Sequence, residues 1–94
     1  MELDEYRKSI DDIDKELISL FEKRMMVSIK IAEYKKENSL PVLNSEREAI
    51  VLRKAAEAVL NEENKGYAQE FMKKVIDLSK EKQTQILKQG ENSI

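Results

Sequence analysis

Residues 3–36, LDEYRKSIDDIDKELISLFEKRMMVSIKIAEYKK, decide the fold of this protein. Apolar side chains recur along them at alternating steps of three and four residues, the spacing of a helix that buries one stripe of its surface. The stripe consists of Leu3, Tyr6, Ile10, Ile13, Leu17, Leu20, Val27, Ile31 and Tyr34. Arg24 occupies a position in the stripe, and Lys35 lies on the neighbouring stripe, one turn past Ile31. Because a buried charge is costly unless it is paired, these two cations predict a partner group.

The length of this helix predicts a dimer. About 35 residues, rising 1.5 Å each, make a rod of roughly 50 Å. A compact chain of about 100 residues has a radius of gyration of only ~13 Å. The rest of a 94-residue chain cannot cover so long a stripe by folding back once. We therefore expect the helix to pair with a second copy of itself.

The first helix is predicted to end near Glu37, because Asn38–Pro41 contains poor helix formers and a proline that favours an extended residue before it. After a short extended link over Pro41–Leu43, a second helix is expected from a cap at Ser45 or Asn44 to about Asn61. Ser45–Glu48 has the sequence of a capping box, and Asn44 is an alternative cap.

The third helix is predicted from Tyr67 to about Lys88, after a turn at Gly66. The tail, residues 89–94, is expected to fray. No strand pattern, internal repeat or linker competes with these helices. The sequence therefore predicts one all-α domain over residues 1–94, with three helices of which the first is the longest.

The composition excludes several classes of function. The chain has a formal net charge of -2, with acidic and basic residues interleaved, and it has neither cysteine nor histidine. Interleaved charges disfavour nucleic acid as a partner, and no apolar run is long enough to cross a membrane. Thiol and imidazole catalysis and the usual soft-metal sites are excluded. A hard-metal site built only of carboxylates stays open, but no spacing like that of an EF-hand occurs. We expect a cytoplasmic protein without a metal or a cofactor.

Polar residues within the three helices predict a binding pocket. Arg24 and Lys35 are 11 residues apart, so they project from one side of the first helix about 16 Å apart along its axis. Polar groups on the other two helices complete the set, which suits a small polyanion that bears a hydroxyl. They are Arg47, Glu48, Ser79 and Gln83.

Arg7 supports the prediction of a dimer. It precedes Arg24 by 17 residues, about 25 Å along a straight helix and roughly 100° around it. One small ligand cannot touch both residues of the same chain. In a second copy packed antiparallel along the first helix, Arg7 can approach Arg24 of this chain.

In order and spacing, these residues resemble the AroQ class of all-helical chorismate mutases over nearly the whole chain. The matching segments are Tyr6–Asp14, Phe21–Arg24, Ile31–Lys35, Pro41–Glu48 and Ser79–Gln83. The resemblance implies an intertwined homodimer of three-helix chains that converts chorismate to prephenate, the committed step towards phenylalanine and tyrosine. It also implies two sites, each built from both chains.

The resemblance implies a carboxylate clamp, formed by two arginines, and two groups that contact the reacting oxygen. Arg7 of the partner subunit and Arg24 would hold the two substrate carboxylates. Lys35 would contact a carboxylate and the ether oxygen of the breaking bond, and Gln83 would donate to the same oxygen. No proton moves in this pericyclic reaction, so histidine and cysteine are not needed.

Other side chains would complete the site. Glu48 would accept from the ring hydroxyl, Arg47 would support the anionic side, and Ser79 would contact a carboxylate. Ile31 and Ile76 would form apolar walls against the ring.

Asn44 departs from the pattern of the family. Many members have an aspartate there. Asparagine suffices if the position only caps the helix. If the contact with the ring hydroxyl needs a carboxylate at this position, Glu48 has to provide a larger share of that contact.

Two alternative functions remain open from the sequence. One is a pyruvate lyase that acts on isochorismate with the same scaffold, although the match around Arg47, Glu48 and Gln83 favours the mutase. The other is a non-catalytic helical dimerisation module, in which the first helix is only a coiled-coil seam. In such a module, replacing Arg24 with leucine would stabilise the dimer at no functional loss.

Overall fold

The computed structural model describes the backbone of residues 1–91 and the side chains of residues 1–88. This part of the chain is all-α, as predicted, and has no strand. Its elements are α1 (Glu2–Glu37), α2 (Ser45–Ala58), a short 3-10 helix (Glu62–Asn64) and α3 (Lys65–Glu91). No helix in these residues is both long and apolar enough to cross a membrane.

α1 ends at Glu37, as predicted, in a tight hydrogen-bonded turn. The Leu40 N–H donates to the carbonyl of Lys35 at 2.8 Å, and the Ser39 N–H donates to that of Lys36 at 3.4 Å. Ser39 has a φ of 55°, in the left-handed region where glycine is the usual residue of this Schellman turn. The turn sends the chain back beside the last turn of α1.

α2 is capped by Asn44, the alternative to the capping box. The Asn44 side-chain oxygen accepts a hydrogen bond from the Arg47 N–H at 3.0 Å, and Ser45 is already the first helical residue. Since an asparagine oxygen satisfies one of the free amides of the first turn, no aspartate is needed for this cap.

The connection between α2 and α3 differs from the prediction. α2 ends at Ala58 rather than near Asn61, and Gly66 lies inside α3 without a positive φ, so the turn predicted at Gly66 is wrong. The side-chain oxygen of Asn61 accepts from the Glu63 N–H at 3.0 Å and starts the 3-10 helix, which leads directly into α3. α3 continues beyond Lys88 to Glu91, and the last three residues of the predicted tail lie outside the described residues.

α3 packs against both α1 and α2 and provides most of the core. Among the described side chains, the buried apolar ones are Ala32, Val75 and Ile76, and the buried polar ones are Ser28, Ser79 and Gln83. Half of this small core is therefore polar. It lies between the second half of α1 and the middle of α3.

The first half of α1 is not covered by any other described part of the chain. Every residue from Glu2 to Leu20 is exposed, including stripe residues such as Leu17 at 45% and Tyr6 at 62%. The described residues extend over 59 × 27 × 14 Å and have a radius of gyration of 16.9 Å, above the ~12 Å of a compact chain of this length. Leu60, which follows the end of α2, is fully exposed.

Candidate active site

A cavity of about 350 Å³ lies where the second half of α1, the start of α2 and the middle of α3 meet. Nine of the ten residues predicted for the site line it, and Arg7 does not. The nine are Arg24, Ile31, Lys35, Asn44, Arg47, Glu48, Ile76, Ser79 and Gln83. The sequence did not single out five other lining residues, namely Val27, Ser28, Val42, Val51 and Lys80.

Lys35 is held in place by two neutral acceptors. Its ammonium donates to the Val42 carbonyl at 3.0 Å and to Oε1 of Gln83 at 3.1 Å. The turn that ends α1 brings Val42 back to this position. Because Oε1 of the buried Gln83 accepts from Lys35, its amide NH₂ is left to donate into the cavity.

Arg24 is a half-buried cation with a neutral partner. Its Nη1 donates to Oγ of the buried Ser79 at 2.6 Å. Burial lowers the pKa of Arg24 below its ordinary value, and the positive charge of Arg47 lowers it further. A cation in this position is therefore stabilised by an incoming anion.

Glu48 is paired at the edge of the cavity. One of its carboxylate oxygens lies 2.8 Å from the Lys80 ammonium, which also lies 3.8 Å from the Asp77 carboxylate. The hydrogen bond to Glu48 is the main cause that raises the pKa of Lys80 above its ordinary value. The carboxylate of Glu48 thus has a cationic partner before any ligand binds.

The cavity carries an excess of positive charge. Among the described residues, Arg24, Lys35 and Arg47 form no ion pair, and Glu48 is the only carboxylate in the lining. No group of three acidic side chains that could hold a metal ion occurs in the same part of the chain. Unpaired guanidinium and ammonium groups favour a ligand with more than one carboxylate or phosphate.

The family model described as chorismate mutase type II matches residues 6–84. The chain belongs to this family. The match covers all of α2, most of α1 and α3, and every residue of the candidate site, and it confirms the resemblance inferred from the sequence.

A curated relative of this chain is similar over a shorter span. It is the bifunctional chorismate mutase/prephenate dehydratase of Buchnera aphidicola subsp. Schizaphis graminum (strain Sg), which is 41% identical over 49 residues. The aligned segment is 52% of this chain and 13% of the relative. This chain therefore corresponds to a small part of that protein. No solved structure gives a significant match.

Lys80 is the charged residue of the site that sequence reasoning missed. It lies in the run Lys80-Glu81-Lys82, which is typical of a solvated helix face. A usable signal was its place next to Ser79 and three residues before Gln83, because positions i and i+3 share a helix side.

Arg7 lies in the first half of α1, where every side chain is exposed, and it is remote from the cavity of its own chain. The 17 residues that separate it from Arg24 correspond to about 25 Å along the helix axis. Within one chain, the cavity therefore lacks this cation.

Proposed function

We propose that this protein is a chorismate mutase and that it acts as a homodimer in which each site uses residues of both chains. The observation that carries the proposal is the cavity itself. Three cations that have no ion-pair partner among the described residues, one carboxylate and one buried amide converge within about 350 Å³ in a chain of this family. This donor set fits the two carboxylates, the ether oxygen and the ring hydroxyl of chorismate.

The reaction requires positioning rather than proton transfer. Chorismate rearranges within one molecule, through a pericyclic step that needs no nucleophile and no acid or base. A protein accelerates such a step by holding the enolpyruvyl arm over the ring. Arg24, oriented by Ser79, binds one carboxylate, and Arg7 of the partner subunit binds the other.

The second task is to stabilise charge on the ether oxygen as its bond to the ring breaks. Lys35 and Gln83 lie on the same side of the cavity, where the Lys35 ammonium nitrogen is 3.1 Å from Oε1 of Gln83. The two neutral acceptors already fix the direction of the ammonium, so little reorganisation is needed in the transition state. Glu48 accepts from the ring hydroxyl and sets the orientation of the ring.

The uncovered half of α1 supports the dimer. If two α1 helices pack antiparallel around a two-fold axis near Lys15 and Glu16, Arg7 of the partner subunit comes level with Arg24. Ile10, Ile13 and Leu17, all 45% exposed or more in one chain, flank that axis. One contact would thus cover the apolar stripe and supply the missing cation.

The test is to add the purified protein to chorismate, follow the loss of substrate and identify the product by chromatography. The proposal predicts prephenate, formed by a species of twice the 11.0 kDa mass of one chain. Release of pyruvate, or a folded dimer that leaves chorismate unchanged, would contradict it.

A further inference from the structure

We infer that Lys80 is a positioning residue of this site, which holds the Glu48 carboxylate at the cavity edge and keeps it away from the cations that bind the substrate. The inference rests on the proposed function. It concerns a residue on α3 that acts through a residue on α2.

The geometry of the pair permits this role. The Lys80 ammonium lies 2.8 Å from Oε1 of Glu48, and no second hydrogen bond or ion pair to this carboxylate occurs among the described residues. The side chains of Lys80 and Glu48 are 37% and 26% exposed, so the pair is at the edge rather than in the interior. Oε2 remains free to accept the hydroxyl of a ligand in the cavity.

Lys80 has a second carboxylate neighbour. Asp77, one turn earlier on α3, lies 3.8 Å from the ammonium. Farther along the same face of α3, the Gln69 amide donates to the Leu52 carbonyl at 3.1 Å. Among the described side chains, α2 and α3 are therefore joined by two polar contacts, of which the Lys80 contact is the one beside the cavity.

The charges explain why the pair is needed. Without Lys80, the single carboxylate of the lining would face three unpaired cations, Arg24, Lys35 and Arg47. Pairing with any one of them would remove a group that the substrate carboxylates require, and it would turn Glu48 away from the hydroxyl. Lys80 offers Glu48 a partner that is not needed for the substrate.

The test compares chorismate kinetics of Lys80→Met, Lys80→Arg and a control, Lys74→Met, which removes the same charge from an exposed position of α3. If the wild-type protein does not convert chorismate, the proposed function has failed, and the inference falls with it. If the wild type is active, we expect Lys80→Met to lower kcat/KM about three- to tenfold, mainly through a higher KM. Lys80→Arg and Lys74→Met should stay within about twofold of the wild type.

A double-mutant cycle separates positioning from a direct effect of the charge. In a Glu48→Gln background there is no carboxylate to hold, so adding Lys80→Met should change kcat/KM less than about twofold. Circular dichroism and the size of the assembly report folding in each variant. The inference is overturned if wild-type and Lys80→Met kinetics agree, if Lys80→Arg does not restore them, or if Lys80→Met costs as much in the Glu48→Gln background.

Discussion

Replacing Lys35 with methionine removes one ammonium from the cavity and keeps a long side chain in the last turn of α1. In the wild type, two of the three ammonium donors are used by the Val42 carbonyl at 3.0 Å and Oε1 of Gln83 at 3.1 Å. The third donor is available to the substrate. No carboxylate among the described residues pairs with this cation, so its charge is uncompensated until a ligand binds.

The expected loss follows from that geometry. Removing one preorganised donor to an oxygen that becomes negative costs about 10²–10³ in kcat. The loss should appear in kcat more than in KM, because the ether oxygen carries most of its charge in the transition state. The Val42 carbonyl and Gln83 each lose a hydrogen bond, at about 1 kcal/mol of unfolding free energy apiece. The variant should therefore fold and bind, but turn over slowly.

The assay measures the initial rate of chorismate loss against substrate concentration, with urea denaturation as the measure of stability. Lys36→Met is the matched control, since it removes the neighbouring charge of the same helical turn from an exposed position. The control should keep wild-type kinetics. A Lys35→Met protein whose kcat is within tenfold of the wild type would refute the assigned role of Lys35.

Three further predictions concern the clamp and the two helix ends. Arg24→Leu removes a cation that burial disfavours but loses the hydrogen bond to Ser79, so urea unfolding should give a free energy within about 1 kcal/mol of the wild type. Its kcat/KM should nevertheless fall about a hundredfold or more, and a variant with wild-type turnover would contradict the role of Arg24 in binding a substrate carboxylate. Ser39→Gly relieves the positive φ and should raise the free energy of unfolding by about 0.5 to 1 kcal/mol; a decrease would contradict this reading of the turn. Asn44→Ala loses the hydrogen bond that caps the Arg47 N–H and should lower the free energy of unfolding by about 1 kcal/mol. Asn44→Asp should retain both the stability and the turnover of the wild type.

The sequence predicted those features that depend on local periodicity and on position along a helix. The three helices follow from apolar spacing, and the end of α1 follows from Asn38 to Pro41. The polar residues that interrupt the apolar stripes, such as Arg24 and Gln83, proved to lie in one cavity. A buried polar position is informative because it is costly unless a partner or a ligand satisfies it.

Sequence reasoning failed where two signals compete. Gly66 favours a turn. However, the side chain of Asn61 caps the 3-10 helix that precedes Gly66, and α3 continues directly from this 3-10 helix. In the sequence, Lys80 resembles a solvated lysine because its ion-pair partner, Glu48, belongs to α2, which lies far away along the chain. Such contacts between elements cannot be inferred from spacing within one helix.

A mixing experiment tests the shared site most directly. Arg7→Ala and Lys35→Met are each expected to be inactive, but a hybrid dimer has one site that receives both intact residues. Refolding the two variants together in equal amounts should produce hybrids as about half of the dimers, and prephenate formation at about a quarter of the wild-type rate. The control mixture, Arg24→Met with Lys35→Met, should remain inactive because both residues belong to the same chain's cavity. If the Arg7→Ala and Lys35→Met mixture is no more active than its parents, the site is not shared between chains in the way proposed.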